Sequence, residues 1–392
     1  MSEKRRDKKR RILREGESQR KDGRYAYKYT DSLGRQKFVY AWKLVPTDRT
    51  PTGKRDDLSL REKEEKIRSD YSHVDAQMTV CALFEKYIAY NRFQCYGTQE
   101  VRKSILKLLR EDPLGKECIG SVKVSRAKDW ALRMSRHGYA YRTISSYKAM
   151  LKSAFDVALE DEVIGKNPFV FKLSGLIENN TKPRPHLTPS QQQAFVDFIA
   201  KDKTYRRYLD DVIILLGTGM RISELCGITR VDVNLEERSI NVDHQLLRKN
   251  NGEYYVSVPK TAAGKRTIPM STAVYDAFVR VIGRRCVRVG FSVDGYSDFL
   301  FLNSNGLPRT KVNYGNAFVR IMQKYEKLGM PSIPRVTPHV LRHTFCSTMA
   351  NAGMNPKALQ YIMGHANINM TMNYYADTDY VTAAENMMLY VL

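Results

Sequence analysis

Between Asn167 and Pro189 the chain reads NPFVFKLSGLIENNTKPRPHLTP, and Pro168, Pro183, Pro185 and Pro189 forbid a continuous helix or central strand through it. Residues before a proline are pushed to extended backbone, so the segment reads as a linker, with a new helix starting at the cap Thr188. The chain must therefore fold as separate parts on either side of this break. At 392 residues it is long enough for two to three domains, each burying its own core.

Residues 1–14, MSEKRRDKKRRILR, carry eight Lys/Arg against two acids, the pattern of a disordered basic arm. The period then changes to two. Strands are expected at 17–20, 24–30 and 36–44, punctuated by Asp22-Gly23 and by Asp31-Ser-Leu-Gly34, with a helix at 59–69. Tyr25, Tyr27, Tyr29 and Tyr40 alternate with Arg24, Ala26, Lys28 and Lys37. One face would pack on the helix while the other carries basic groups able to enter a major groove. From Met78 to about Asn167 four segments show apolar residues at spacings of three and four, which predicts a small helical bundle. Lys103, Lys107, Arg110, Lys123, Arg126, Arg142, Lys148 and Lys152 lie between the apolar positions, as a DNA-facing side or as a solvated face.

After the break, helices are expected at 189–201, 205–216, 223–228, 271–284 and 314–327, with strands at 239–243, 254–258 and 266–270. In LLGTGMRISELCGI an apolar helix ends at Gly217 and Gly219, so the backbone turns and presents Arg221, which Glu224 can orient. VPKTAAGKRTIPM reads as a hairpin with Lys260 at the end of one strand and Lys265-Arg266 at the start of the next.

The stretch TPHVLRHTFCSTMANAGMNPKALQYIMGHANINMTMNYY begins with a cap, Thr337, and a proline in the first helical turn. His339 lies where backbone N–H groups favour an anion, and Arg342 falls on the same helical face. A second helix ends at Gly364-His365, and two tyrosines, Tyr374 and Tyr375, follow. Arginines, histidines and a phenol without an acidic cluster suit a phosphate attacked by the phenol, not by a metal-bound water.

Composition narrows the partner. Lys plus Arg at 65 against Asp plus Glu at 42 leaves a net charge of +23, which points to a polyanion, with nucleic acid first and an anionic membrane second. No run of 18 apolar residues and no apolar leader exist, so a membrane span and a signal peptide are not expected, and a cytosolic protein is. The six cysteines are scattered singly with no C-x-x-C pair, against a disulfide framework or zinc finger. No cofactor is expected.

Arg221 in TGMRISEL, Lys260 in PKTAAGKRTIP, His339 and Arg342 in HVLRHT, His365 in MGHANI and a tyrosine in MTMNYY resemble, in order and spacing, the catalytic set of the tyrosine recombinases. The basic and strand-rich N-terminus is similar to the DNA-binding domain of conjugative-transposon integrases, so the resemblance spans essentially the whole chain. It implies a mainly α, multidomain fold. Residues 1–75 would be an arm-type DNA-binding domain of three-stranded sheet plus helix, with Arg24, Lys28 and Lys37 on DNA. Residues 76–171 would be a helical, SAM-like core-binding bundle, 172–187 a linker, and 188–392 a mixed α/β catalytic domain with a C-terminal tail.

The resemblance also implies roles. Arg221 and Arg342 would clamp the scissile phosphate, Lys260 would protonate the departing 5′-oxygen, and His339 and His365 would hydrogen-bond the phosphate or assist proton transfer. Tyr375, or alternatively Tyr374, would be the nucleophile. Asp377 stands where the family often has a histidine. Implied partners are duplex DNA at core-type and arm-type sites, a homotetramer in synapsis and a small accessory excision factor, in a bacterial, nucleoid-associated setting. The tail beyond Ala376 would dock on its own domain or on a neighbouring protomer. Rival readings are a type IB topoisomerase, a non-catalytic DNA-binding regulator and, least favoured, a metal-dependent nuclease.

Overall fold

The computed structural model describes residues 5–30, 36–67, 77–92, 95–181, 185–259, 261–284 and 290–375. The chain divides into two compact units, Met1–Lys182 and Pro183–Leu392. The expected C-terminal tail, with Asp377, lies outside the described residues.

In the first unit, β1 (Glu17–Gln19), β2 (Tyr25–Thr30) and β3 (Gln36–Ala41) form an antiparallel sheet in that order. Helix α1 covers residues 60–67. Tyr25 faces Ala41 and Tyr27 faces Val39 across the β2–β3 pair, and these residues pack with Leu44 and Leu60 into a small core. Because directly paired residues share a face, two expectations change. Tyr40 pairs with Ala26 and stands on the open face beside Lys28 and Phe38, whereas Lys37 pairs with Tyr29 and takes the tyrosine side of the sheet. Phe38 and Tyr40 stack at 6.4 Å, and Arg20 and Arg24 lie over the Tyr40 ring.

The basic arm is also corrected, since from residue 5 it is folded. Buried Asp7 accepts from Arg11 and from the Tyr25 hydroxyl, and Leu13 joins the small core. Asp7 and Asp48 together hold Arg11, and Glu17 accepts from the Arg14 N–H, which anchors the run.

The bundle comprises α2 (Val80–Tyr90), α3 (Tyr96–Glu111), α4 (Pro113–Lys116), α5 (Val124–Arg136) and α6 (Tyr141–Glu160). Trp130, Phe155 and Phe169 meet at its centre, with ring centroids 5.9 Å and 5.2 Å apart. Phe169 and Leu173 are buried there and Ile177 packs against them, while Leu187 belongs to the core of the second unit. Of the basic residues between the apolar positions, Lys103, Arg110 and Lys152 pair with Glu100, Glu85 and Asp156.

The second unit opens with α7 (Pro189–Lys201), started by a Thr188–Gln191 capping box, and continues with α8 (Leu209–Thr218) and α9 (Ile222–Gly227). Strands β4 (Val233–Asn234), β5 (Ser239–Val242), β6 (Gln245–Arg248), β7 (Tyr254–Ser257) and β8 (Arg266–Pro269) follow, then α10 (Thr272–Gly283) and the short pair β9 (Ser292–Val293) and β10 (Tyr296–Ser297). Four helices close the described chain: α11 (Lys311–Lys327), α12 (Pro338–Asn351), α13 (Pro356–Met363) and α14 (Asn369–Met372).

The hairpin expected at VPKTAAGKRTIPM does not form. Strand β7 pairs with β6, while β8 pairs with β5 in a sheet ordered β4-β5-β8. The cause is β6, a strand the residue pattern did not reveal, which takes β7 as its partner and leaves β8 to the free edge of β5. The core beneath joins α8, α10 and α11 through Leu215, Phe278, Tyr314 and Phe318. Among the described residues no helix is long and apolar enough to cross a membrane.

Candidate active site

Helix α8 ends at Gly219, whose φ of 63° lies in the left-handed region. A Cβ there would lie 2.4 Å from the Phe345 ring and 2.8 Å from the Met363 sulfur, so the turn requires glycine for space as well as conformation. The turn delivers Arg221 as the residue capping α9. Its own N–H donates to Glu224 Oε2 at 2.8 Å, its Nη1 to Glu224 Oε1 at 2.7 Å, and its Nη2 to the Gly364 carbonyl at 3.1 Å.

Helix α12 begins as the sequence predicts. Thr337 accepts from the Val340 N–H and Pro338 occupies the first turn. One and a half turns in, buried Arg342 donates from Nη1 to the Gly219 carbonyl at 2.6 Å and from Nη2 to the Met363 carbonyl at 2.5 Å. Both arginines are thus fixed by main-chain oxygens at the ends of α8 and α13. Gly364 ends α13 with φ 61°, and a Cβ on it would press on the Arg266 guanidinium at 3.0 Å.

Arg266 is a residue the sequence reading missed as part of the site. It is 3% exposed, donates to Glu224 Oε2 at 2.8 Å, and also reaches the Ile362 and Gly264 carbonyls at 2.5 Å and 3.2 Å. A signal existed in the alternation of Arg266 with buried Ile268 in β8, which places both on the inner side. Glu224 therefore lies in the field of three guanidinium groups. Burial alone would push its carboxyl up, but the hydrogen bonds and charge of Arg266, with the charges of Arg221 and Arg342, hold it down at about 2. Burial and the neighbouring Arg221 charge lower Arg342 to about 9, which leaves it cationic at neutral pH. Three cations against one carboxylate make a cluster that an anion would complete.

His365, 5% exposed, follows Gly364 directly, and its Nδ1 lies 3.0 Å from the hydroxyl of fully buried Thr371. Burial, then the charges of Arg342, Arg221 and Arg266, lower its pKa to about 4, so the ring is neutral near pH 7. His339 is exposed in the first turn of α12. Lys260 lies outside the described residues.

The two tyrosines take different partners. The Tyr374 hydroxyl meets Nδ1 of His343, with the rings 5.6 Å apart, whereas the Tyr375 hydroxyl donates to the Met354 carbonyl at the turn between α12 and α13. His343 is a second residue that the sequence reading did not single out, and its place beside Arg342 was its only signal. Burial, then the nearby Cys346, raises the Tyr375 phenol above its ordinary pKa. Away from the arginines, Asp232, Asp243 and His244 bring ligand-type atoms within 4.8 Å of one another. His244 there already bonds Asp243 at 2.6 Å and the Gly227 carbonyl at 2.8 Å.

A buried cluster of three guanidinium groups around one carboxylate, with His365 beside it, suits a protein that acts on DNA phosphates, and comparison with known proteins agrees. The profile of the phage integrase family matches residues 185–380, and that of the DNA binding domain of Tn916 integrase matches residues 1–71. The chain belongs to the phage integrase family and is a tyrosine recombinase.

It is 49% identical over 391 residues to the transposase from transposon Tn916 of Enterococcus faecalis, covering 99% of this chain and 96% of that protein. The same identity and coverage hold for the transposase from transposon Tn1545 of Streptococcus pneumoniae. Among solved structures, the Tn1549 transposon integrase in complex with a circular intermediate DNA is 49% identical with a TM-score of 0.77, covering 79% of this chain and 99% of that one.

Proposed function

We propose that the chain is the integrase of a conjugative transposon, cutting and rejoining DNA at the element's ends through a 3′-phosphotyrosine. The observation that carries this is the convergence of Arg221 and Arg342 on the carbonyls at the ends of α8 and α13, beside His365. Two guanidinium groups held there present their remaining N–H donors to the non-bridging oxygens of one phosphate. They would offset the charge that grows as phosphorus becomes five-coordinate. Solved forms of the Tn1549 integrase carry an Arg-to-Lys or a Tyr-to-Phe change. The two changed positions are separated by as many residues as Arg221 and Tyr375, which supports Tyr375 over Tyr374 as nucleophile.

In the proposed step the Tyr375 Oη–P bond forms as the P–O5′ bond breaks, the phenolic proton passes to His339 or water, and Lys260 protonates the departing 5′-oxygen. The phosphodiester energy is kept in the phosphotyrosine, so strand exchange by an incoming 5′-hydroxyl would need neither metal nor ATP. Tyr375 must leave the Met354 carbonyl to attack.

Residues 1–75 would bind arm-type sites, 76–171 and 188–392 would each contact the core-type site, and four protomers with a small excision factor would act in the cytoplasm on the bacterial nucleoid. A nicked suicide substrate tests the reading. Wild type and Tyr374→Phe should form a covalent adduct in the presence of chelator, and Tyr375→Phe should not. An adduct with Tyr375→Phe but not with Tyr374→Phe would reverse the assignment.

A further inference from the structure

We infer that Thr371 is a positioning residue of the strand-cleavage site: its hydroxyl donates to Nδ1 of His365, so that the ring presents Nε2–H to the scissile phosphate. The inference rests on the site proposed above and specifies one of its parts.

Thr371 lies on α14, four residues before Tyr375, and is completely buried, so its hydroxyl needs a partner inside the protein. The His365 ring supplies one at 3.0 Å. The backbone of His365 is already held, because its N–H donates to the Gln360 carbonyl and its own carbonyl accepts from the Gln360 side chain at 3.0 Å. What remains free is the ring's rotation and its tautomer, and the Thr371 contact fixes both.

The neutral ring has a single N–H, and whichever nitrogen accepts from a neighbour leaves the proton on the other. Beside three guanidinium groups the bound group is an anion, so the ring contributes only as a donor. Nδ1 must then be the acceptor, and Thr371 the donor that makes it so. The same bond ties the α14 segment leading to Tyr375 to the floor of the arginine cluster.

Two readouts test this on the full chain labelled with ¹⁵N-histidine. Long-range proton–nitrogen spectra should show His365 as the Nε2–H tautomer in wild type and in Thr371→Ser, and a mixture or the opposite tautomer in Thr371→Val. On a nicked core-site duplex at saturating protein, Thr371→Val should lower single-turnover cleavage on the order of tenfold, Thr371→Ser should recover most of it, and duplex affinity should stay unchanged. Thermal melts separate lost folding from lost positioning. A wild-type Nδ1–H tautomer, or wild-type cleavage by Thr371→Val, would overturn the inference. The spectra report on Thr371 even if no adduct ever forms, whereas a chain that shows the expected tautomer yet never cleaves would condemn the site reading instead.

Discussion

Glu224 and Arg266, forty-two positions apart, form a buried ion pair in which Nη2 stands 2.8 Å from Oε2 and neither side chain is more than 4% exposed. The same carboxylate holds Arg221, so one acidic group sets the place of two guanidinium groups. Buried pairs contribute little net stability when complete, but breaking one leaves an uncompensated charge. Glu224→Gln should therefore lower unfolding stability by about 3–5 kcal/mol in urea titrations and abolish adduct formation. A stable, active Glu224→Gln protein would show that the arginines are positioned by their carbonyl contacts alone.

The depressed pKa of His365 has a consequence for acid stability. The folded protein keeps the ring neutral down to about pH 4, whereas the unfolded chain takes up the proton from its ordinary 6.5 downward. Its contribution is complete above pH 6.5 and lost as pH falls toward 4. Glu224, held at about 2, adds a second loss at lower pH, between its ordinary 4.5 and 2. His365→Gln should flatten the stability profile between pH 6.5 and 4 and leave the lower limb in place, as thermal melts across that range would reveal.

The arginine cluster should bind small tetrahedral oxyanions. Tungstate or phosphate at millimolar concentration should raise the melting temperature and compete with covalent capture, since a ligand selective for the folded state stabilises it by mass action. Arg342→Lys should lose most of this shift, because a single ammonium cannot reproduce the fork that reaches the Gly219 and Met363 carbonyls together.

On the N-terminal sheet, Lys28 stands on the open face opposite Phe38, while Lys37 shares the tyrosine side. Lys28→Ala should weaken DNA binding and reduce the slope of log K against log salt by about one, the signature of a lost phosphate contact. Lys37→Ala should leave the slope unchanged. Fluorescence anisotropy over a salt series measures both.

Much of the site was legible because its parts announce themselves locally. Thr337-Pro338 starts a helix whatever the rest of the chain does, and Arg221 followed at the third position by Glu224 predicts the pair that forms. What could not be read depended on distant partners. Arg266 alternates with Ile268 on the inner side of β8, yet its role shows only when a carboxylate from α9 is brought beneath it. Strand β6 is four residues with little alternation, and it takes β7 by a local turn while β8 crosses to β5. The faces of β3 were misjudged for a related reason: Lys37 and Tyr40 are both plausible on either side until the register with β2 is known. Asp7, lost among basic neighbours, anchors the N-terminal run through Arg11 and Tyr25, a pairing that composition conceals.

The arginines are gripped by the carbonyls of Gly219, Met363 and Gly364, atoms that every amino acid carries. Substitution of neighbouring side chains other than Glu224 therefore leaves these carbonyl contacts unaltered, and that part of the geometry is inherited with the path of the main chain. Beyond Glu224, the fragility is concentrated at the two left-handed glycines. A drifting lineage can rewrite most of the lining and keep its arginine cluster, yet loses it through one added methyl group.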